Sequence, residues 1–156
     1  MLPALNTLAE QQSSATKNTE AAITHFLDYA ATNPSAIIQY KASSMILHMD
    51  SDTSYLSEPR SRSRTGGHYY FRSLPTDPKQ SPNLPPPANG PMHTECRIPK
   101  HVVASKAKAE VGGLFHNGQT EVPLRITLHE IGLIQPPTPI KTDNSAADGI
   151  VTATIR

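Results

Sequence analysis

Apolar positions fall first at helical spacing. Ala21, Ala22, Ile23, Phe26, Leu27 and Ala30 recur on one face, with Thr19 and Glu20 ahead of them as cap material. Asn33-Pro34 ends this helix, because the residue before a proline is pushed out of the helical region. Ile37, Ile38 and Tyr40 predict a short strand. Met45 to Met49 predicts a stronger one, running straight into the polar group Asp50-Ser51-Asp52-Thr53-Ser54. A loop carrying Arg60, Arg62 and Arg64 follows. Gly66-Gly67 then opens the strand His68-Tyr69-Tyr70-Phe71.

Residues 72 to about 91 are proline-rich and read as an extended loop without packed structure. Met92 to Ile98 predicts a third strand. Beyond Pro99, Val103, Ala107, Val111 and Leu114 mark the apolar face of a helix, which Gly112-Gly113 weakens by roughly 1 kcal/mol per glycine. Asn117-Gly118 is read as its end. A second helix is predicted from about Thr120, carrying Leu124, Leu128 and Ile131, with Pro123 in its first turn and Gly132 closing it. A short strand, Ile140-Lys141-Thr142, ends on Asp143, and Asn144 or Ser145 caps a last helical stretch. Strand, strand, strand, helix, helix, strand, helix is the order of a mixed α/β sheet.

Composition narrows the partners. The chain has 156 residues, 37% of them hydrophobic, and fifteen prolines, so a packed core is expected over only part of it. A net charge of +1 sets up no long-range field, and nucleic-acid binding would need a local patch. Cys96 is the only cysteine, which excludes an internal disulfide. The start Met1-Leu2-Pro3-Ala4 has no secretory pattern, and no apolar run approaches the roughly 20 residues that cross a bilayer. The expectation is an intracellular chain, cytoplasmic or nuclear, neither secreted nor membrane-bound.

Three acids stand out by placement. Asp52 falls just past the first core strand, Glu110 lies within the long helix beside Val111, and Asp143 ends the last strand. Ligands of open α/β sheets gather outside the carboxyl ends of strands. Two strand-end aspartates and a helix glutamate can converge there on a hard divalent cation such as magnesium, which prefers oxygen ligands. The plainer reading of the same acids is a set of caps and solvated turns.

Ser51-Asp52-Thr53-Ser54-Tyr55-Leu56-Ser57-Glu58-Pro59, followed by Arg62-Ser63-Arg64-Thr65-Gly66-Gly67, resembles the first ribonuclease H segment of copia-type retrotransposon polyproteins. In that segment a serine-aspartate pair is followed ten residues later by an arginine, the spacing from Asp52 to Arg62. Ala104-Ser105-Lys106-Ala107-Lys108-Ala109-Glu110-Val111 is similar to the family's glutamate-bearing helix, with Lys108 where the family has a first glutamate. Thr142-Asp143-Asn144-Ser145-Ala146-Ala147 is similar to its third segment. Residues 1–40 resemble the connector after a reverse transcriptase, leaving residues 41–156 as a ribonuclease H-like domain.

The resemblance implies a ribonuclease H-like mixed sheet with flanking helices, incomplete at the C-terminus. It implies hydrolysis of the RNA strand of an RNA–DNA hybrid, with Asp52, Glu110 and Asp143 as catalytic metal ligands for Mg2+ or Mn2+. The family carries a fourth acid on a later element, and the chain ends at Arg156. Activity is therefore expected to be impaired or lost unless the rest of a polyprotein supplies that element. Arg60, Arg62 and Arg64 are candidates for phosphate contacts, or simply an exposed basic loop. His93 and Cys96 have the spacing of half a zinc site with no second half. A non-catalytic retroelement remnant with weak nucleic-acid binding, or an interaction protein using its proline-rich segment, remain open alternatives.

Overall fold

The polar run Asp50 to Ser54, expected to follow the first core strand, lies in its middle: β1 (Ile46–Glu58) is the longest strand among the described residues. The structure, a computed structural model, describes residues 1–73 and 89–152, so most of the proline-rich stretch lies outside the described residues. The chain divides into two units, Met1–Ile38 and Gln39–Arg156.

In the first unit, α1 (Leu2–Glu10) precedes α2 (Lys17–Thr32). Helical spacing of apolar residues marks α2 but not α1. Thr16 and Thr19 form a reciprocal cap at the start of α2, and the Thr19 hydroxyl also donates to Gln11 Oε1 at 2.8 Å. Thr19 is the one buried residue of these two helices, while Leu5, Ile23, Leu27 and Tyr29 remain exposed.

The second unit is an α/β structure built on a four-stranded mixed sheet. β1 pairs antiparallel with β2 (Arg62–Arg72), β2 pairs antiparallel with β3 (Pro91–Arg97), and β1 pairs parallel with β4 (Ile140–Lys141), giving the order β3-β2-β1-β4. The helix α3 (Lys106–Glu130) packs on β1 and β2, and α4 (Ser145–Val151) follows β4.

Strand alternation explains why β1 tolerates its polar run. Leu47, Met49, Ser51 and Thr53 are buried on the face toward α3. Leu47, Met49, Tyr69 and Leu128 form the core, with Phe71, Met92, Leu124 and Leu133 packed against it. Tyr69 and Phe71 thus contribute to the packing of the sheet.

Several expected boundaries move. No strand forms at Ile37 to Tyr40, whose apolar side chains are exposed. Tyr40 instead donates its hydroxyl to Pro91 O at 3.0 Å. The second strand begins at Arg62, so Gly66-Gly67 lie inside it, paired with Asp52 and Ser51. The two expected helices are one. Asn117-Gly118 does not stop α3, because the Asn117 side chain bonds across to the sheet and not to its own backbone. Pro123 lies inside the helix, not in a first turn.

Candidate metal centre

Register alone brings two of the acids together. Met49 pairs with Ile140 and Asp50 with Lys141, so extending the parallel register places Asp52 opposite Asp143. Adjacent strands lie about 4.8 Å apart. Among the described residues no strand pairs with the β1 edge beyond Lys141 of β4, and there the Asp52 carboxylate accepts from Thr53 N at 2.8 Å. Further back along the same edge, Gln135 stands in for a strand. Its Oε1 accepts from Leu47 N at 2.9 Å and its Nε2 donates to Met45 O at 3.1 Å.

Glu110 comes from the start of α3. Ser105 caps that helix, accepting from Lys108 N at 3.3 Å. The buried face comprises Ala109, Glu110, Gly113, Asn117, Glu121 and Leu128, rotated from the expected face of Val103, Ala107, Val111 and Leu114. Glu110 is thus part of the buried face, not beside it. Lys108 is exposed, as its position two residues from Glu110 suggested.

Asp52, Glu110 and Asp143 each offer a carboxylate oxygen, and the three oxygens lie within 4.8 Å of one another. Asp52 lies inside β1, paired with Gly66, and not past the end of the strand as expected; it is exposed, as is Asp143, whereas Glu110 is only 1% exposed. Both Glu110 carboxylate oxygens are buried and accept no hydrogen bond. Burial pushes the Glu110 carboxyl above its usual range, and the Asp52 and Asp143 charges push it further. Lys106 and the Thr53 hydroxyl pull it back. A donor set of three carboxylates suits a hard divalent cation, with open positions on the exposed side for water or phosphate oxygens.

Two residues whose part in the site the sequence pattern does not reveal hold this arrangement. Gly113, one turn beyond Glu110, lets α3 settle onto the sheet: a Cβ there would lie 2.3 Å from Thr53 Oγ1 and 3.2 Å from the Thr65 methyl. Asn117, one turn further, donates to Ser51 Oγ at 2.8 Å and to Gly66 O at 2.9 Å. A glycine and an asparagine inside a helical pattern read as helix breakers. Their meaning appears only when β1 and β2 lie beneath them.

The arginines do not share one loop. Arg60 is exposed at the hairpin tip in a left-handed conformation, φ 61°. Arg62 opens β2 half-buried, its Nε donating to Pro59 O at 3.4 Å. Arg64 is 9% exposed, with its Nε donating to Glu58 Oε1 at 2.6 Å and its Nη1 to Cys96 Sγ at 3.3 Å. The expected basic stripe is corrected to Arg60 and Arg62, because Arg64 is committed inside the hairpin. Cys96 therefore faces a guanidinium, and His93 bonds to Glu95 at 3.3 Å, so the two do not form half a metal site.

Comparison with protein-family models, curated proteins and solved structures finds no match. Among the described residues, no helix is long and apolar enough to cross a membrane.

Proposed function

We propose that this chain is a ribonuclease H-type module of a copia-type retrotransposon polyprotein. In this reading it binds Mg2+ or Mn2+ and acts on the RNA strand of an RNA–DNA hybrid. The observation that carries the reading is Glu110, whose two carboxylate oxygens are buried without partners beside two further carboxylates. Bare buried carboxylate oxygens are costly and rare unless a proton or a cation meets them. The α/β sheet with flanking helices is compatible with a ribonuclease H-like fold.

Each residue then has a part. Glu110 grips from within the fold, and Asp52 and Asp143 grip from the solvent side, where a phosphodiester can approach. A bound divalent cation supplies Lewis-acid activation of water and neutralises charge building on the phosphate. Arg60 and Arg62, on the hairpin that continues β1, are the candidates for backbone phosphates. Exposed Ile23, Leu27 and Tyr29 on α2 support a connector role for the first unit, with the rest of a reverse transcriptase polyprotein as its partner.

Among the described residues three carboxylates converge, one fewer than the family uses. The reading therefore assigns this chain cation binding with weak hydrolysis. The test is incubation of the purified chain with a labelled hybrid in Mg2+ or Mn2+. Slow cleavage that disappears in Asp52→Asn is the expected result. Cation binding without any cleavage would leave the remnant alternative, and absence of both would remove the ribonuclease reading.

A further inference from the structure

Two threonines meet α3 at the same point. Thr53 of β1 and Thr65 of β2 are cross-strand partners, and both face Gly113. Their hydroxyls fare differently. Thr65 Oγ1 donates to Arg97 O at 3.4 Å, whereas Thr53 Oγ1 is buried with no hydrogen-bond partner. Thr53 is 3% exposed, and no side chain at 113 competes for its space. A buried hydroxyl without a close hydrogen-bond partner costs stability, so its retention calls for an acceptor within reach.

That partner is close by. Glu110 lies three residues before Gly113 on the same buried helix face, with both oxygens unpaired. We propose that Thr53 is a positioning residue for Glu110: its hydroxyl, seated in the notch left by Gly113, donates to one carboxylate oxygen and leaves the other aimed at the cation. The inference rests on the metal reading above and adds to it the group that orients the buried ligand. Outer hydrogen-bond partners of this kind change metal affinity by roughly 10- to 100-fold.

Valine keeps the branched shape of threonine and removes the hydroxyl, so it separates orientation from packing. Mn2+ binding to the full-length chain, read by calorimetry or electron paramagnetic resonance, is compared among the unchanged protein, Thr53→Val, Thr53→Ser and Asp52→Asn. Thermal unfolding without metal is recorded in parallel. The expected result is a roughly tenfold weaker Mn2+ affinity in Thr53→Val, restored to within about twofold in Thr53→Ser. The thermal midpoint of Thr53→Val should equal or exceed that of the unchanged chain, because an unpaired buried hydroxyl has gone.

A packing role would lower midpoint and affinity together, and serine would not restore them. Unchanged affinity in Thr53→Val, or a loss that serine fails to reverse, overturns the positioning role while leaving the metal site standing. Absence of Mn2+ binding in the unchanged chain overturns both. Should the valine variant fail to fold, Thr53→Ala carries the same expected loss and the same refuting result.

Discussion

The side-chain amide of Asn117 reaches from the middle of α3 to Ser51 Oγ, 2.8 Å away on β1, and to the carbonyl of Gly66 on β2. One residue thus ties the helix bearing Glu110 to both central strands. Its own backbone carbonyl accepts the Tyr69 hydroxyl at 2.8 Å, which adds a third tie. Asn117→Ala strands the Gly66 carbonyl and the Ser51 hydroxyl in a buried layer. Loss of about 2 kcal/mol is expected in urea unfolding. A cost within about 0.5 kcal/mol would mean that water replaces the amide freely.

Three glycines of α3 should respond to alanine in opposite ways. Gly112 and Gly118 have open space where a Cβ would go, so Gly112→Ala and Gly118→Ala should each stabilise by up to about 1 kcal/mol through helix propensity. Gly113→Ala meets Thr53 Oγ1 at 2.3 Å and must lift the helix or displace the threonine. A loss of about 1–3 kcal/mol is expected there, with weaker cation binding because Glu110 moves with the helix. Equal melting shifts in all three variants would contradict the close approach.

Glu110 gives the metal-free chain a pH dependence of definite sign. Its folded carboxyl sits above the usual range, so between its unfolded and folded pKa the folded state holds the extra proton. Stability from this group is therefore present at low pH and lost as pH rises through the folded value. Glu110→Gln should be more stable than the parent at neutral pH without metal, and that advantage should vanish on acidification. Saturating Mn2+ reverses the order. At a hundred times Kd the cation adds about 2.7 kcal/mol to the parent and nothing to the variant. Calorimetric midpoints with and without Mn2+ at two pH values check both signs.

The hairpin arginines separate into two kinds. Arg60→Ala and Arg62→Ala should leave the fold intact and each reduce the salt dependence of hybrid binding by about one unit of slope. Arg64→Ala should act on folding. Its guanidinium and the Glu58 carboxylate are only 10% and 13% exposed, and removing one partner of so enclosed a pair costs about 3 kcal/mol. Salt-titrated binding and urea unfolding distinguish the two kinds.

What the sequence discloses depends on whether a residue's role is local. The end of α2 at Asn33-Pro34, the Asn144 cap of α4 and the third strand follow from rules that act within a few residues, and all three are present. Asp52, Glu110 and Asp143 are singled out by their neighbours in sequence, and the structure brings them together. The length of β1 is different. Asp50 to Ser54 is strand because β2 pairs along it and α3 covers its inner face, neither of which lies within reach of a local pattern. The continuity of α3 through Asn117 is likewise decided by Ser51 and Gly66, far away along the chain. Polar residues that pack against other polar residues leave no hydrophobic periodicity to read.

The shortness of β4 gives the three carboxylates unequal stiffness. Asp52 rides on a strand held along its full central length by β2, and Glu110 on a capped helix of 25 residues, but Asp143 follows a strand of two. Loading the site should therefore behave as a clasp with one fixed jaw and one closing jaw. Amide exchange across residues 140–151 should slow on adding Mn2+, while that of β1 hardly changes. The energy spent on closing that jaw would set a ceiling on affinity, and a longer fourth strand would raise it.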